Sequence, residues 1–213
     1  MEKKIQICPE ELFFLGKEMG AKYIDYDYIR MMPDIQIQFP MREKEIMASL
    51  VRNGLLLEDF SGNMELDEEI EKLLKPVFFG AFESELFLTD TGKQEAPERY
   101  KFHFHQGEIT QVKLDNKYLL ISGGGEDGLK ALKNRLLPED YPEHEKEIPM
   151  DEMETELISH LLILKNMLIG KQAAESQFLK MAGTWYVGKE ENVAQGLTRE
   201  AMRQRFVRLM MGE

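Results

Sequence analysis

The sequence has one cysteine, Cys8, among its 213 residues. A single thiol excludes an intrachain disulfide and a zinc site built from cysteines, so packing has to supply the stability. No apolar run reaches the roughly 18 residues that a membrane-spanning helix needs, and residues 1–5 lack the long apolar core of a signal peptide. We therefore expect a cytoplasmic protein without membrane insertion.

Basic residues are in deficit. The chain has 27 Lys and Arg against 39 Asp and Glu, which gives a formal net charge of -12. Affinity for DNA and RNA rests largely on the neutralisation of phosphates by Lys and Arg. We therefore expect no nucleic-acid partner.

Signatures of catalysis and of nucleotide binding are also missing. No serine stands in a Gly-x-Ser-x-Gly elbow. Gly123-Gly124-Gly125 precedes Glu126 and Asp127, where a phosphate-binding loop requires Gly-Lys followed by Ser or Thr. We predict a protein with no catalytic residues, no cofactor and no small-molecule substrate.

Two histidines form the one pattern typical of a metal site. His103 and His105 lie two residues apart in a predicted strand, so both imidazoles project from the same sheet face. Glu83 and Glu85 share this alternation and could lie on a neighbouring strand, but no motif supplies a third ligand. We interpret the pattern as a polar sheet face and predict no metal site.

Periodicity predicts helices first, then an antiparallel meander, then helix, strand and helix. In the first part, the predicted helices begin at Pro9 and span Arg42–Arg52 and Asp67–Lys75, with Pro76 forcing an exit, and a short strand holds Ile35, Ile37 and Phe39 before Pro40. The predicted meander strands are Val77–Leu88, Arg99–His105, Glu108–Leu114 and Lys117–Ser122. After a helix that carries Leu129 to Leu137, we predict a helix at Met153–Ile169, a strand at Phe178–Val187 and a final helix with Thr198 as N-cap.

The segment 138–150 differs in composition from its surroundings. Three prolines alternate with Glu and Asp there, which is typical of a linker. We therefore divide the chain into an N-terminal half (1–137), an acidic proline-rich linker (138–150) and a C-terminal half (151–213) that packs on the same sheet. Helix and strand recur after the linker, which indicates two related halves.

Several short motifs resemble those of the EspG-like chaperones of type VII (ESX) secretion. They are the early Glu10-Glu11-Leu12 helix, the turn of sequence Leu50-Val51-Arg52-Asn53-Gly54-Leu55, the Leu73-Leu74-Lys75-Pro76 exit and the Tyr100–Ile121 meander. The resemblance implies an α+β fold with a central antiparallel sheet flanked by helices, in two pseudo-symmetric halves. A composition rich in Lys, Glu, Ile and Met is typical of a low-GC Gram-positive source, which favours a distant relative.

The same resemblance implies a non-enzymatic function. Such a chaperone binds a helical secretion substrate and keeps it soluble through a sheet face, adjacent loops and C-terminal helices. We expect the loop Thr89–Arg99, the flanking sheet residues and a basic stripe on the last helix to contact the partner. The candidate partner-binding residues are Thr89, Lys93, Arg99, Phe102, His103, His105, Trp185 and Arg203.

Three alternatives remain open at this stage. An immunity protein could use its acidity against a basic toxin. A winged-helix regulator would have helices Arg42–Arg52 and Asp67–Lys75, but the second carries four acidic residues that would meet phosphates. An enzyme of unusual type is the third, and the sequence offers it no recognisable set of catalytic residues.

Overall fold

A computed structural model describes residues 3–32, 35–58, 61, 63–142, 146–168, 171–190 and 193–212. The helices in this part of the chain are α1 (Pro9–Glu18), α2 (Tyr26–Arg30), α3 (Ile35–Arg52), α4 (Glu68–Phe79), α5 (Gly125–Leu136) and α6 (Arg199–Met211). The strands are β1 (Lys4–Ile7), β2 (Leu56–Glu58), β3 (Met64–Leu66), β4 (Phe82–Asp90), β5 (Glu98–His105), β6 (Glu108–Leu114), β7 (Leu119–Ser122), β8 (Glu147–Pro149), β9 (Ile158–Leu168), β10 (Lys171–Met181), β11 (Thr184–Glu190) and β12 (Val193–Gly196). No described helix is both long enough and apolar enough to cross a membrane.

Ten of these strands form one antiparallel sheet in the order β1-β7-β6-β5-β4-β9-β10-β11-β12-β8. Counted outward from the central pair β4 and β9, the strands follow the same pattern on both sides of the sheet. Each direction gives a four-stranded meander, whose last strand pairs with a short strand from earlier in the chain and is followed by a helix. The predicted α+β class with a central antiparallel sheet is confirmed.

The chain contacts divide the molecule into two compact units. The first comprises Met1–Ala81 and His103–Gly124. Its core combines apolar side chains of helices α1 to α4 with side chains of β1, β6 and β7, among them Leu12, Leu74 and Ile121. Two buried polar contacts lie within this unit: the Tyr28 hydroxyl is 2.7 Å from His103 Nε2, and Thr110 Oγ1 donates to the Leu73 carbonyl at 2.7 Å.

The second unit comprises Phe82–Phe102 and Gly125–Glu213. Helix α6 packs against β4, β9 and β10, and its buried side chains repeat at helical spacing, as predicted from the sequence. Thr198 is the N-cap, because its side chain accepts a hydrogen bond from the Ala201 amide at 3.1 Å. The predicted final helix is therefore confirmed.

The predicted helix at Met153–Ile169 is wrong. Two short 3-10 turns lead instead into strand β9, which pairs with β4 on one side and β10 on the other. A central strand that packs on both faces has apolar residues at successive positions, and periodicity alone cannot separate that pattern from a buried helix. The predicted strand at Phe178–Val187 is a hairpin, since Ala182 and Gly183 both have positive φ and turn β10 into β11.

Two prolines were assigned the wrong role. Residues Ile35–Phe39, predicted as a strand ended by Pro40, belong to helix α3, which continues to Arg52. Helix α4 likewise continues past Pro76 to Phe79. Proline removes one backbone donor, so the Lys72 carbonyl loses its partner within the helix, but the helix continues for three more residues. Gly80 stops it: a side chain there would meet the carbonyl oxygens of Pro76 and Phe104.

The predicted meander is confirmed in its last three strands. Strand β6 has the predicted bounds, and β5 and β7 differ from theirs by one or two residues at the start. Gln106 and Gly107 both have positive φ, as the favoured two-residue hairpin turn requires. Strand β8 lies inside the segment 138–150, where it pairs with β12.

A buried lysine lies between two carboxylates on strand β4. Lys101 is 2% exposed, and its Nζ atom lies 2.5 Å from Glu85 and 3.7 Å from Glu83. Both glutamates alternate with residues of the apolar core face, which places them on the opposite face of β4. A charge in such a position needs its partner, because burial penalises an uncompensated ion strongly.

We predict that Lys101→Met lowers the free energy of unfolding by about 3 to 5 kcal/mol, because it leaves the Glu85 carboxylate buried without its closest cation. Urea denaturation measures this change. Lys130→Met, at an exposed position on α5, is the matched control and should stay within about 0.5 kcal/mol of wild type. Equal losses in the two variants would contradict the prediction.

Candidate partner-binding site

Four side chains from four strands form a row across one end of the sheet in the second unit. Asp90 pairs with His160, His160 with Lys180, and Lys180 with Trp185. Residues directly opposite one another in an antiparallel sheet project from the same face. The row therefore brings together an acid, an imidazole, an amine and an indole that are far apart in the sequence.

The row lines a pocket of about 230 Å³. Leu88 continues the lining on β4, the C-terminal end of α5 contributes Arg135 and Leu136, and the connection from β4 to β5 contributes Lys93, Glu95 and Ala96. Glu98, the first residue of β5, completes it. All these residues belong to the second unit.

Both acids on strands at the pocket are held by cations. Lys93 Nζ lies 3.1 Å from Asp90 Oδ2, and the Gly92 amide donates to Asp90 Oδ1 at 3.0 Å. The Lys93 contact, followed by the Gly92 amide, holds the pKa of Asp90 below its ordinary value. Arg135 donates to both carboxylate oxygens of Glu98 at 3.1 to 3.2 Å, which is the bidentate geometry that makes such pairs strong.

Lys180 differs from these cations. Its Nζ atom lies 5.4 Å from the centre of the Trp185 ring, within the range of a cation–π contact. Among the described residues, no carboxylate lies within salt-bridge distance of this ammonium group. Burial lowers the pKa of Lys180 and also that of His160, since desolvation penalises the charged form of each.

Trp185 forms a rigid wall of the pocket. Its side chain is 1% exposed, and its indole N–H donates to the Leu136 carbonyl at 3.0 Å. The Trp185 amide donates to the Tyr141 hydroxyl, which in turn donates to the Leu197 carbonyl, both at 2.9 Å. Tyr141 therefore anchors part of the segment that composition marks as a linker.

The connection at residues 91–97 is exposed throughout, yet its first residue is fixed. The Thr91 amide donates to the Ser159 carbonyl at 3.0 Å, and Thr91 Oγ1 donates to the Ile158 carbonyl. Two exposed leucines lie near this anchor. Leu157 precedes Ile158 in the chain, and Leu161 lies opposite Thr89 where β4 pairs with β9. We call residues 91–97, Leu157 and Leu161 the loop-side surface.

The predicted partner-binding residues have different surroundings. Lys93 and Trp185 line the pocket. Thr89 lies on the face of β4 that points away from the pocket. The Arg99 guanidinium lies 4.6 Å from the centre of the Phe87 ring. Phe102 and His103 are buried. His105 is half-buried with its ring 6.5 Å from that of Phe79, and Arg203 is exposed and bonded to Glu200 at 2.7 Å. Of the eight residues, Lys93 and Trp185 are those that the pocket brings together.

Sequence reasoning missed Asp90, Glu98, Arg135, His160 and Lys180. Strand register, which placed three of them in one row, depends on pairings between strands distant in the chain. The wrong helix at Met153–Ile169 removed His160 from any sheet. A signal for Asp90 was present, because Asp followed by Thr-Gly at a strand end is typical of a turn.

The arrangement suits recognition better than catalysis. Asp90 and Glu98 are neutralised by neighbours, so neither is a free base. Ser159 Oγ lies 3.1 Å from His160 Nδ1, but this hydroxyl also donates to the Lys180 carbonyl at 3.2 Å. Ser159 is absent from the pocket lining and adjoins His160 in the strand, which directs its side chain to the other face.

Comparison with solved structures identifies a similar fold. The chain is similar to a chain in the structure of the Mycobacterium tuberculosis type VII secretion system chaperone EspG5 in complex with the PE25–PPE41 dimer, with a TM-score of 0.60. This chain has a distant EspG-like fold. The match covers 98% of this chain and 96% of that chain at 8% sequence identity. No protein-family model and no curated protein matches the sequence.

The single tryptophan makes the state of His160 measurable. The two rings lie edge to face with centroids 6.4 Å apart, and a protonated imidazole quenches indole fluorescence on contact. We predict that Trp185 emission falls as the pH falls, with a midpoint below the ordinary His value of 6.5, because burial disfavours the charged ring. His160→Gln should abolish the transition and His105→Gln should keep it; the reverse result would contradict the geometry.

Proposed function

We propose that this chain is a non-enzymatic cytoplasmic chaperone or adaptor that binds a helical secretion substrate in a type VII secretion pathway. The observation that supports this most is the EspG-like fold over 98% of the chain. Fold alone does not carry function, so the binding surface has to be sought in the residues. The motifs of the EspG-like family point to the same class of protein.

The loop-side surface is the part of the second unit that we propose contacts the substrate. Leu157 is 55% and Leu161 38% exposed, whereas most of the described leucines in this unit are buried, with Leu168 as a further exception at 53%. The loop beside them projects polar and charged side chains, and its start is fixed on β9. An apolar centre with a polar rim on a rigid support is typical of a protein-binding site.

The physical mechanism is the covering of apolar surface without chemistry. An amphipathic helix of a substrate exposes leucine-like side chains that aggregate in water. Burial of each large apolar side chain contributes about 1.5 to 3 kcal/mol, so a few anchors give useful affinity after the cost of association. Such binding needs no nucleotide.

Affinity capture with the tagged chain, followed by mass spectrometry, tests the function. We predict that it recovers an exported protein whose captured part is helical. Leu157→Glu should reduce recovery at least tenfold, because it adds a charge to the apolar centre. The matched control is Leu57→Glu, at a leucine that is 51% exposed on β2, in the first unit; it should leave recovery unchanged.

Other outcomes would overturn the proposal. Recovery of a toxin through its catalytic domain would make the chain an immunity protein. Tight binding of duplex DNA at low salt would make it a regulator. Equal recovery by the Leu157 and Leu57 variants would move the contact away from the loop-side surface.

A further inference from the structure

The pocket is lined by three cations and three carboxylates, and two of the cations lie in ion pairs. Asp90 is paired with Lys93 and Glu98 with Arg135. Glu95 is exposed on the loop. The Lys180 ammonium lies over Trp185, and within the described chain it has neither a hydrogen bond nor a salt bridge to an acid.

The surroundings of Lys180 suit a single carboxylate. Lys180 is half-buried, with His160 and Trp185 as its cross-strand neighbours, so its ammonium group has lost part of its hydration. A charge-assisted hydrogen bond is strongest under these conditions. The Ser159 hydroxyl donates to the Lys180 carbonyl, so the proton in its contact with His160 comes from Nδ1, and Lys180 is the charged donor at this site.

Charge and size limit the occupant. Three carboxylates line the same pocket, so a phosphate dianion would meet repulsion that a single carboxylate meets less strongly. The volume of about 230 Å³ is sufficient for an acidic side chain. Trp185, Leu88 and Leu136 supply apolar contacts for its methylene groups.

We propose that this pocket binds the carboxylate of a Glu or Asp side chain of the protein partner, with Lys180 as the charged anchor and Trp185 as the wall. The proposal rests on the function given above and adds the chemistry of one contact: the partner presents an acid to the pocket that the loop lines. The site recognises an acidic group within a chain whose own net charge is -12.

Calorimetric titration of the full chain with butyrate, which carries one carboxylate as a Glu side chain does, tests the pocket without any partner, and butyramide is the neutral isostere. Saturable binding is expected for butyrate alone. Lys180→Met should weaken it at least tenfold and Lys180→Arg should retain most of it, since the charge remains. Lys130→Met, on the exposed face of α5, should bind as wild type. Circular dichroism confirms that each variant is folded, and equal binding by wild type and Lys180→Met would overturn the proposal.

The captured partner tests the source of the carboxylate. Glu→Gln and Asp→Asn substitutions in its helical segment should include one that weakens binding to the wild-type chain at least tenfold and has no further effect on Lys180→Met. Butyrate binding without any such coupling would mean a free small acid as ligand and would overturn the assignment to a partner side chain. Failure to capture a helical exported protein, with butyrate binding intact, would overturn the proposed function instead.

Discussion

The pairing of β4 with β9 is the constraint on which the rest of the second unit depends. It runs from Phe82 opposite Leu168 to Asp90 opposite His160 without a register shift. On one face of these two strands the side chains of Leu86, Leu88, Leu162 and Leu164 are buried, and α6 packs on both strands. Because the side-chain period of a strand is two, a slip of one residue would expose this core and remove the row that lines the pocket.

The pairing also explains why the pocket is electrostatically uneven. It ends at Asp90, and there the chain turns at once so that Lys93 and the Gly92 amide reach back to the carboxylate. The acid of the row is thus neutralised by its own turn, while the amine of the row comes from β10, where no acid lies opposite. Local turn chemistry therefore leaves Lys180 without an ion-pair partner among the described residues, and the Asp140 carboxylate attracts it from beyond salt-bridge distance.

Local patterns were sufficient for some elements and insufficient for others. Strands β5 to β7 were predictable because alternation and turn residues lie within a few positions of each other, as in Gln106-Gly107. Strand β9 was not, since Leu161 to Leu164 is apolar at every position and its neighbours, β4 and β10, decide between strand and helix. The loop with Lys93 was predictable as the gap between two predicted strands, whereas the position of His160 opposite Lys180 depends on the register between strands β9 and β10.

The two margins of the sheet are short. Strand β1 has four residues and β8 has three, the last of which, Pro149, has no backbone N–H to donate. A protein that handles apolar segments risks capturing a further copy of itself along an open strand, as fibrils do. Short margins with a proline make such end-to-end polymerisation unfavourable, so the two outer strands offer little backbone for the addition of a further strand.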